Sequence, residues 1–204
     1  MPRIVDHDKR REEIVAAAAR VISREGMDAA TVRRIALEAG YSSGVLDHYF
    51  HDKDDILLSA LRASHARIRR RVLAAMEGLS GLAALRVLLS DNLPIDDQRR
   101  DETRLEMQFW ARSIADEALA GVQRTEADEL RRAVRRRVRE AIEAGEWPAS
   151  LPAEHAADEL LTFVDGVSVH AVLYPADYPP ERQQAMLDEF LAAAPAGREL
   201  TSLS

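Results

Sequence analysis

The fold is decided by one stretch, Thr31-Val-Arg-Arg-Ile-Ala-Leu-Glu-Ala-Gly40-Tyr-Ser-Ser-Gly-Val-Leu-Asp-His-Tyr-Phe50-His-Asp-Lys53. Its pattern predicts two short helices joined by a turn. Thr31 is a favourable N-cap, and Gly40 can take the positive φ that a sharp turn requires. Ala36 is small enough to let the helices approach closely, while Leu46 and Phe50 would face inward. Two short helices arranged in this way are typical of a helix-turn-helix.

The second short helix has a polar outer face. The residues that would lie on it are Ser42, Ser43, Gly44, Asp47 and His48. A helix so short and so polar gains little stability by itself. Placed in a DNA major groove, its first half could reach base edges and its capping residues could touch phosphates.

Helical periodicity continues on both sides of this stretch. Upstream, Ile14, Ala17, Ala18, Val21 and Ile22 form one apolar stripe that stops before Gly26. Downstream, the pattern predicts helices over about 53–76, 82–93, 97–113, 116–144, 154–173 and 181–193, and Asp52 would cap the first of them. No segment alternates with the period of a strand. We therefore expect an all-α protein of about nine helices, with a three-helix helix-turn-helix head and a C-terminal helical bundle.

Composition excludes several classes of protein. The chain has 204 residues and no cysteine, which excludes a disulfide scaffold, a thiolate zinc site and a cysteine nucleophile. No apolar run reaches the length of about eighteen residues that a membrane span needs, and no apolar leader follows Met1. We expect a cytoplasmic protein with no membrane partner.

Charge divides the chain into two parts. The net charge is −7, yet residues 1–53 hold nine basic and nine acidic side chains, so the acidity belongs to the remainder. A neutral head excludes a protein that coats nucleic acid by bulk attraction. We predict a DNA-binding head over 1–52 and a body over 53–204, with the helix at about 53–76 linking them.

The same stretch resembles the DNA-binding head of the tetracycline-repressor (TetR) family. The shared features are the threonine cap, Ile-Ala, Ala-Gly, Ser-x-Gly, His-Tyr-Phe and a lysine three residues later. The resemblance covers about residues 8–60. The rest is similar to the family in helix number and order, most of all to the branch that includes the betaine-synthesis repressor.

The resemblance implies a set of DNA contacts. Phosphate contacts are implied for Thr31, Arg33, Arg34 and Lys53, backbone contacts for Tyr41, His48 and Tyr49, and positions near the bases for Ser42, Ser43, Gly44 and Val45. Two positions depart from the family, where position 43 is often basic and position 47 often tyrosine. Asp47 either accepts a hydrogen bond from a cytosine amino group or is turned away from the DNA, and the sequence leaves both open.

Some of these residues have a simpler interpretation. Leu46 and Phe50 are expected in the core. For Tyr49, packing in the core and contact with a phosphate are both open. His48 and His51 could suggest a metal pair, but no acidic residue stands at ligand spacing to complete it. We predict no metal and no cofactor.

For the body, the resemblance implies a small-molecule effector and a homodimer formed by the last two long helices. The helix over 154–173 is apolar on more than one face, which independently favours burial against a second subunit. The residues predicted at the dimer interface are Leu160, Val164, Val167, Ala171, Leu187, Phe190 and Leu191.

Two clusters of aromatic and polar residues are candidates for the effector pocket. They are Met107, Phe109 and Trp110 on one helix, and Phe163, Asp165, His170 and Tyr174 on another. Ordinary core aromatics are an equally good interpretation, and a histidine such as His170 in an apolar helix is more often a core residue.

The arginine-rich segment over 131–139 would be a second nucleic-acid site or a solvated helix face. The spacing favours the face, because the i,i+4 rule pairs Asp128 with Arg132, Arg136 with Glu140 and Arg139 with Glu143.

The function favoured by the sequence is a dimeric repressor that a small molecule releases from a pseudo-palindromic operator. A ligand-responsive activator and a helical adaptor without DNA binding are the alternatives. An enzyme of the di-iron type is disfavoured, because no histidine follows a glutamate by three residues.

Overall fold

The computed structural model describes residues 3–194, with side chains from His7 onward. In that range the chain forms nine helices and no strand, which confirms the all-α prediction. The helices are α1 (Arg3–Glu25), α2 (Val32–Ala39), α3 (Ser43–Leu46), α4 (Lys53–Ala75), α5 (Gly81–Asp91), α6 (Asp97–Ser113), α7 (Glu117–Glu143), α8 (Ala153–Leu173) and α9 (Pro180–Ala193).

By packing, the described chain divides into two compact units. The head unit contains the residues up to Arg69 together with Asp101–Gln123, and the body unit contains Arg70–Arg100 together with the residues from Arg124 on. Helices α4, α6 and α7 therefore each contribute residues to both units. The functional boundary at residue 52 stays a prediction, and the part of the body range beyond residue 194 lies outside the described residues.

The head unit has one apolar core. Side chains from α1, α2, α3 and α4 form most of it, including Ile14, Ala18, Val21 and Ile22 of the stripe predicted on α1. The core is completed by Leu105 and Phe109 of α6 and Leu119 of α7, which are 5% exposed or less. The sequence order alone did not indicate that these distant residues pack with the head.

The body unit is organised around α5, which packs against α8 and α9, while those two helices pack against each other. Its largest fully buried side chains include Leu85 and Leu89 of α5. The carboxylate of Asp91 is buried in this unit and is paired with two positively charged side chains. Arg71 donates to both oxygens of Asp91, at 2.8 and 2.7 Å, and Arg99 donates to the same group at 2.7 Å. Two guanidinium groups compensate the cost of removing that charge from water.

Candidate DNA-binding site

The helix-turn-helix is held by a cap at each end of α2. The Thr31 hydroxyl oxygen accepts a hydrogen bond from the Arg34 N–H at 3.2 Å, satisfying one of the free N–H groups at the start of the helix. Gly40 lies at φ 77°, and beyond it the Tyr41 N–H donates to the Ala36 carbonyl at 2.9 Å. Only glycine adopts that backbone angle without steric cost. The predicted cap and turn are confirmed.

Helix α3 separates an apolar side from a polar side. Leu46 is 1% exposed and Phe50 5% exposed, so both face inward as predicted. The residues Ser42, Ser43, Gly44, Asp47 and His48 are exposed, and Val45 is half-buried. A Cβ added at Gly44 would meet no atom within 4 Å, so another molecule can approach the backbone closely here. The polar face is thus available to a ligand as large as DNA.

The two tyrosines implied in DNA contact are oriented by α1. The Tyr41 hydroxyl donates to Glu13 at 2.5 Å, and the Tyr49 ring lies 4.4 Å from the His7 ring, centroid to centroid. Both tyrosines are half-buried. The hydroxyl proton of Tyr41 is therefore already engaged, and its contact with a phosphate would require this bond to break.

The two arginines of α2 differ in their surroundings. Arg34 donates from Nε to Glu25 at 3.0 Å and from Nη2 to Glu38 at 3.1 Å, while Arg20 of α1 donates to the same Glu38 at 3.0 Å. These bonds, first from Arg20 and then from Arg34, lower the pKa of the Glu38 carboxyl below its ordinary value. The charge of Arg34 is matched by these two carboxylates, so contact with a phosphate would require the bonds to loosen, and its phosphate role stays a prediction. Arg33 is exposed and keeps that predicted role.

Lys53 stands at the start of a firmly capped helix. The Asp52 carboxylate accepts from the Asp55 N–H at 2.8 Å, and the Asp55 carboxylate accepts from the His51 N–H at 3.1 Å. This reciprocal arrangement satisfies two N–H groups and confirms Asp52 as the cap. It gives the half-buried Lys53 a defined place at the first residue of α4.

Three of the predicted effector residues lie in the head unit. Phe109 is fully buried in the head core, so the structure corrects it from a pocket residue to a core residue. Met107 is half-buried. Trp110 is 37% exposed and donates from Nε1 to Glu106 at 3.0 Å. Among these three, Trp110 presents the largest accessible aromatic surface.

The other four predicted effector residues belong to the body unit, three of them on α8 and Tyr174 at its C-cap, and none of them is buried. Asp165, His170 and Tyr174 are exposed, and Phe163 is half-buried. The His170 ring lies 5.7 Å from the Tyr174 ring and 5.3 Å from the Tyr178 ring. The interpretation of His170 as a core histidine is therefore wrong.

Most of the predicted dimer residues have almost no accessible surface that a second subunit could contact. Six of the seven are buried inside a single chain, namely Leu160, Val164, Val167, Ala171, Leu187 and Leu191. They are core residues of the body unit, and their assignment to the interface is corrected for that reason. Phe190 is half-buried and stacks on Phe163, with the ring centroids 4.1 Å apart. The interface itself stays a prediction.

Two polar contacts between α4 and α6 were missed by the sequence analysis. His65 Nε2 lies 2.9 Å from a carboxylate oxygen of Glu106, and Arg67 donates to Glu102 at 3.0 Å. Glu102 is 6% exposed, and the Arg67 guanidinium helps to compensate the burial of its carboxylate. Each pair joins residues far apart in the chain, and no local pattern could have indicated them.

Several arginines of α7 form ion pairs, but not with the partners that the i,i+4 rule predicted. Asp128 binds Arg131 at 2.9 Å and Glu140 binds Arg137 at 2.6 Å, both at i,i+3. Arg139 forms its ion pair with Glu154 of α8 instead. The interpretation as a solvated, charge-paired face holds with different partners.

The described part of the chain contains no group of three or more His, Cys, Asp or Glu side chains placed to hold a metal ion. None of its helices is long and apolar enough to cross a membrane.

An exposed recognition helix on a capped two-helix turn defines a helix-turn-helix protein of the class that regulates transcription. The chain belongs to the tetR family of bacterial regulatory proteins. That family's model matches residues 14–60, and the model of BetI-type transcriptional repressors, C-terminal part, matches residues 81–195. The chain is thus a TetR-family transcriptional regulator, as the resemblance indicated.

Relatives agree with this assignment. The chain is 31% identical over 188 residues to the regulator PksA of Bacillus subtilis, covering 89% of this chain and 88% of that protein. It is 27% identical to the regulator BetI of Cronobacter sakazakii, covering 97% and 96%. Both relatives are HTH-type transcriptional regulators.

Solved structures show the same fold. A transcriptional regulator from Rhodococcus sp. Rha1 matches with a TM-score of 0.80 and 29% identity, covering 90% of this chain and 95% of that one. A regulator from Saccharomonospora viridis, solved in complex with choline, matches with a TM-score of 0.85 and 23% identity, covering 91% and 96%.

Proposed function

We propose that the protein is a repressor that binds a pseudo-palindromic operator as a homodimer and is released by a small-molecule effector. The single observation that carries the DNA-binding part is the exposed polar face of α3, opposite the inward-facing Leu46 and Phe50. Two such heads would dock in successive major grooves, about 34–36 Å apart or at a multiple of that distance.

The charge of the head sets the character of this binding. Because residues 1–53 carry no net charge, affinity has to come from a few placed contacts and from the presence of two heads. Such binding has a modest dependence on salt and a weak nonspecific component.

We assign the dimer interface to the exposed stripe of α8 and α9, on the side of these helices opposite the residues that are buried in the body unit. The stacked pair Phe163 and Phe190 lies on this stripe, beside a depression of about 440 Å³ that also reaches His155 and Thr162. Further along α8, Leu173 is 56% exposed. Gly166 is exposed and has open space where a side chain would be, which lets a partner helix approach closely.

For the effector, relatives give the first compounds to test. One structural neighbour holds choline, and a FadR regulator from Bacillus subtilis with the same fold holds stearoyl-CoA. A ligand that prefers the conformation with low DNA affinity shifts the population away from the operator. Choline and stearoyl-CoA are therefore the first probes in a thermal-shift experiment, in which a bound ligand raises the melting temperature.

The proposal is tested by an electrophoretic mobility-shift assay with the intergenic DNA upstream of the protein's own gene. We expect a shift that weakens as the salt concentration is raised. Unlabelled DNA of the same sequence should abolish the shift by competition, whereas unlabelled DNA of random sequence should not. Absence of such a shift contradicts the DNA-binding function and supports the helical adaptor. If DNA binds, a promoter–reporter fusion separates a repressor, whose deletion raises expression, from an activator, whose deletion lowers it.

A further inference from the structure

Asp47 is a charged residue on the DNA-facing side of the head. It follows α3 directly with helical backbone angles, φ −62° and ψ −19°, so its side chain lies one helical turn beyond Ser43. Both residues are exposed, on the side opposite the buried Leu46. Gly44 beside them adds no side chain and leaves the surface open.

Other acidic side chains around this face are engaged within the protein. Glu13 accepts from Tyr41, Glu25 and Glu38 bind Arg34, Asp52 and Asp55 accept backbone N–H groups, and Asp54 binds Arg112. Asp47 has no hydrogen-bond or ion-pair partner among the described residues. If the Asp47 side chain were turned away from the DNA face, no partner among the described residues would hold it in that orientation.

An unpaired carboxylate on a DNA-facing surface has few favourable partners. It repels phosphates and can only accept hydrogen bonds, whereas guanine and thymine present acceptors in the major groove. Adenine presents its N6 donor beside the N7 acceptor, which would face a carboxylate oxygen unfavourably. Cytosine presents its N4 amino group without an acceptor on the same base, and aspartate accepting from this group is a recurring pairing.

We propose that Asp47 is a specificity-determining residue that accepts a hydrogen bond from the N4 amino group of one cytosine in each half-site. The inference rests on the proposed binding of operator DNA and names a base that this chain reads. The carboxylate lowers attraction to DNA in general and restores affinity only where the cytosine is present, so it contributes to specificity more than to affinity.

The test is selection of binding sites from a randomised DNA pool by the full-length protein, followed by sequencing of the bound fraction. Wild type is compared with Asp47→Ala and Asp47→Asn. Asp28→Ala is the matched control, because Asp28 is an exposed aspartate of the head that lies in the turn between α1 and α2. Circular dichroism verifies that all four proteins are folded.

We expect wild type to select half-sites with one fixed C·G pair that Asp47→Ala no longer selects, the other positions being unchanged. Changing that pair should weaken wild-type binding roughly ten-fold or more and leave Asp47→Ala binding nearly unchanged. In Asp47→Asn the preference at this position should move to adenine, because asparagine can both donate and accept. Asp28→Ala should select the wild-type sites.

Two results would count against these ideas, and they are distinguishable. If wild type and Asp47→Ala enrich the same half-site, with the same preference at every position, this inference is overturned while the proposed function stands. If wild type enriches no sequence at all, the proposed function fails and the inference fails with it.

Discussion

Gln108 of α6 accepts, through Oε1, a hydrogen bond from the backbone N–H of Met27 at 3.3 Å, in the turn between α1 and α2. Four residues further along α6, Arg112 donates to Asp54 at 2.8 Å, beside the start of α4. All four residues belong to the head unit. Helix α6 therefore forms hydrogen bonds with the segments on both sides of the helix-turn-helix.

The contribution of the hydrogen bond between Gln108 and the Met27 N–H should be measurable separately. We expect Gln108→Ala to lower the free energy of unfolding by about 1 kcal/mol, because the 7% exposed Met27 loses its side-chain acceptor. Hydrogen exchange at the Met27 amide should become faster. Gln184→Ala, at a half-buried glutamine of α9 in the body unit, is the control and should leave exchange at the Met27 amide as it is in wild type. Unchanged exchange at Met27 in Gln108→Ala would show that the bond does not protect the turn.

The cap of α2 gives a second prediction. Thr31→Ala removes the acceptor for the Arg34 N–H and should lower the free energy of unfolding by about 1 kcal/mol. Thr31→Ser keeps the hydroxyl and should restore most of that stability. Urea denaturation measures both variants, and equal stability of wild type and Thr31→Ala would refute the role of the cap.

Phosphate contact by Lys53 predicts a change in salt dependence. Lys53→Ala should weaken operator binding for all sequences alike and reduce the slope of log affinity against log salt by about one for each head. Tyr49→Phe should also weaken binding while keeping the ring against His7.

Arg132→Ala is the matched control for Lys53→Ala, since it removes one exposed positive charge from α7 of the body unit. Sedimentation should show that every variant remains dimeric. A salt slope that falls equally in the control would mean that net charge, and not a placed contact, is responsible.

The dimer interface predicts the effect of a side chain at Gly166. Gly166→Glu has open space within its own chain and should fold with wild-type or higher stability, because glycine weakens a helix interior. Between two subunits the same side chain would clash and bring charges together, so size-exclusion chromatography should give a monomer. Ala127→Glu, on the exposed side of α7, should remain dimeric. A dimeric Gly166→Glu would place the interface elsewhere.

The network on Glu38 predicts a dependence on pH. Since hydrogen bonds from Arg20 and then Arg34 hold its pKa below the ordinary value of 4.5, the folded state binds this proton less readily than the unfolded state. The stabilisation is therefore present above pH 4.5 and is lost as the pH falls through the lower native pKa.

Glu38→Gln removes this titration and is the natural comparison. The difference in free energy of unfolding between wild type and Glu38→Gln should shrink as the pH is lowered through that range. A difference that stays constant from neutral to acidic pH would mean that the carboxylate charge does not stabilise the contact between α1 and α2.

The features that were predictable from sequence are those fixed by local chemistry. The cap at Thr31, the left-handed Gly40 and the inward Leu46 follow from residue types and spacing within a few positions. The pairing of Arg34 with Glu25 was not predictable, because it depends on how α1 and α2 pack. The same holds for the dimer residues, since an apolar stripe on α8 does not reveal whether it faces its own chain or a partner.

The contribution of Leu105, Phe109 and Leu119 to the head core has a consequence for protein engineering and for recombination in evolution. A head exchanged between relatives by a single crossover near residue 60 would leave behind three of the side chains that seal its interior. Such a chimera would have mismatched apolar surfaces in the transplanted part. Specificity is therefore more safely redesigned on the surface of α3 than by exchanging the N-terminal segment, because the portable unit is discontinuous in the chain.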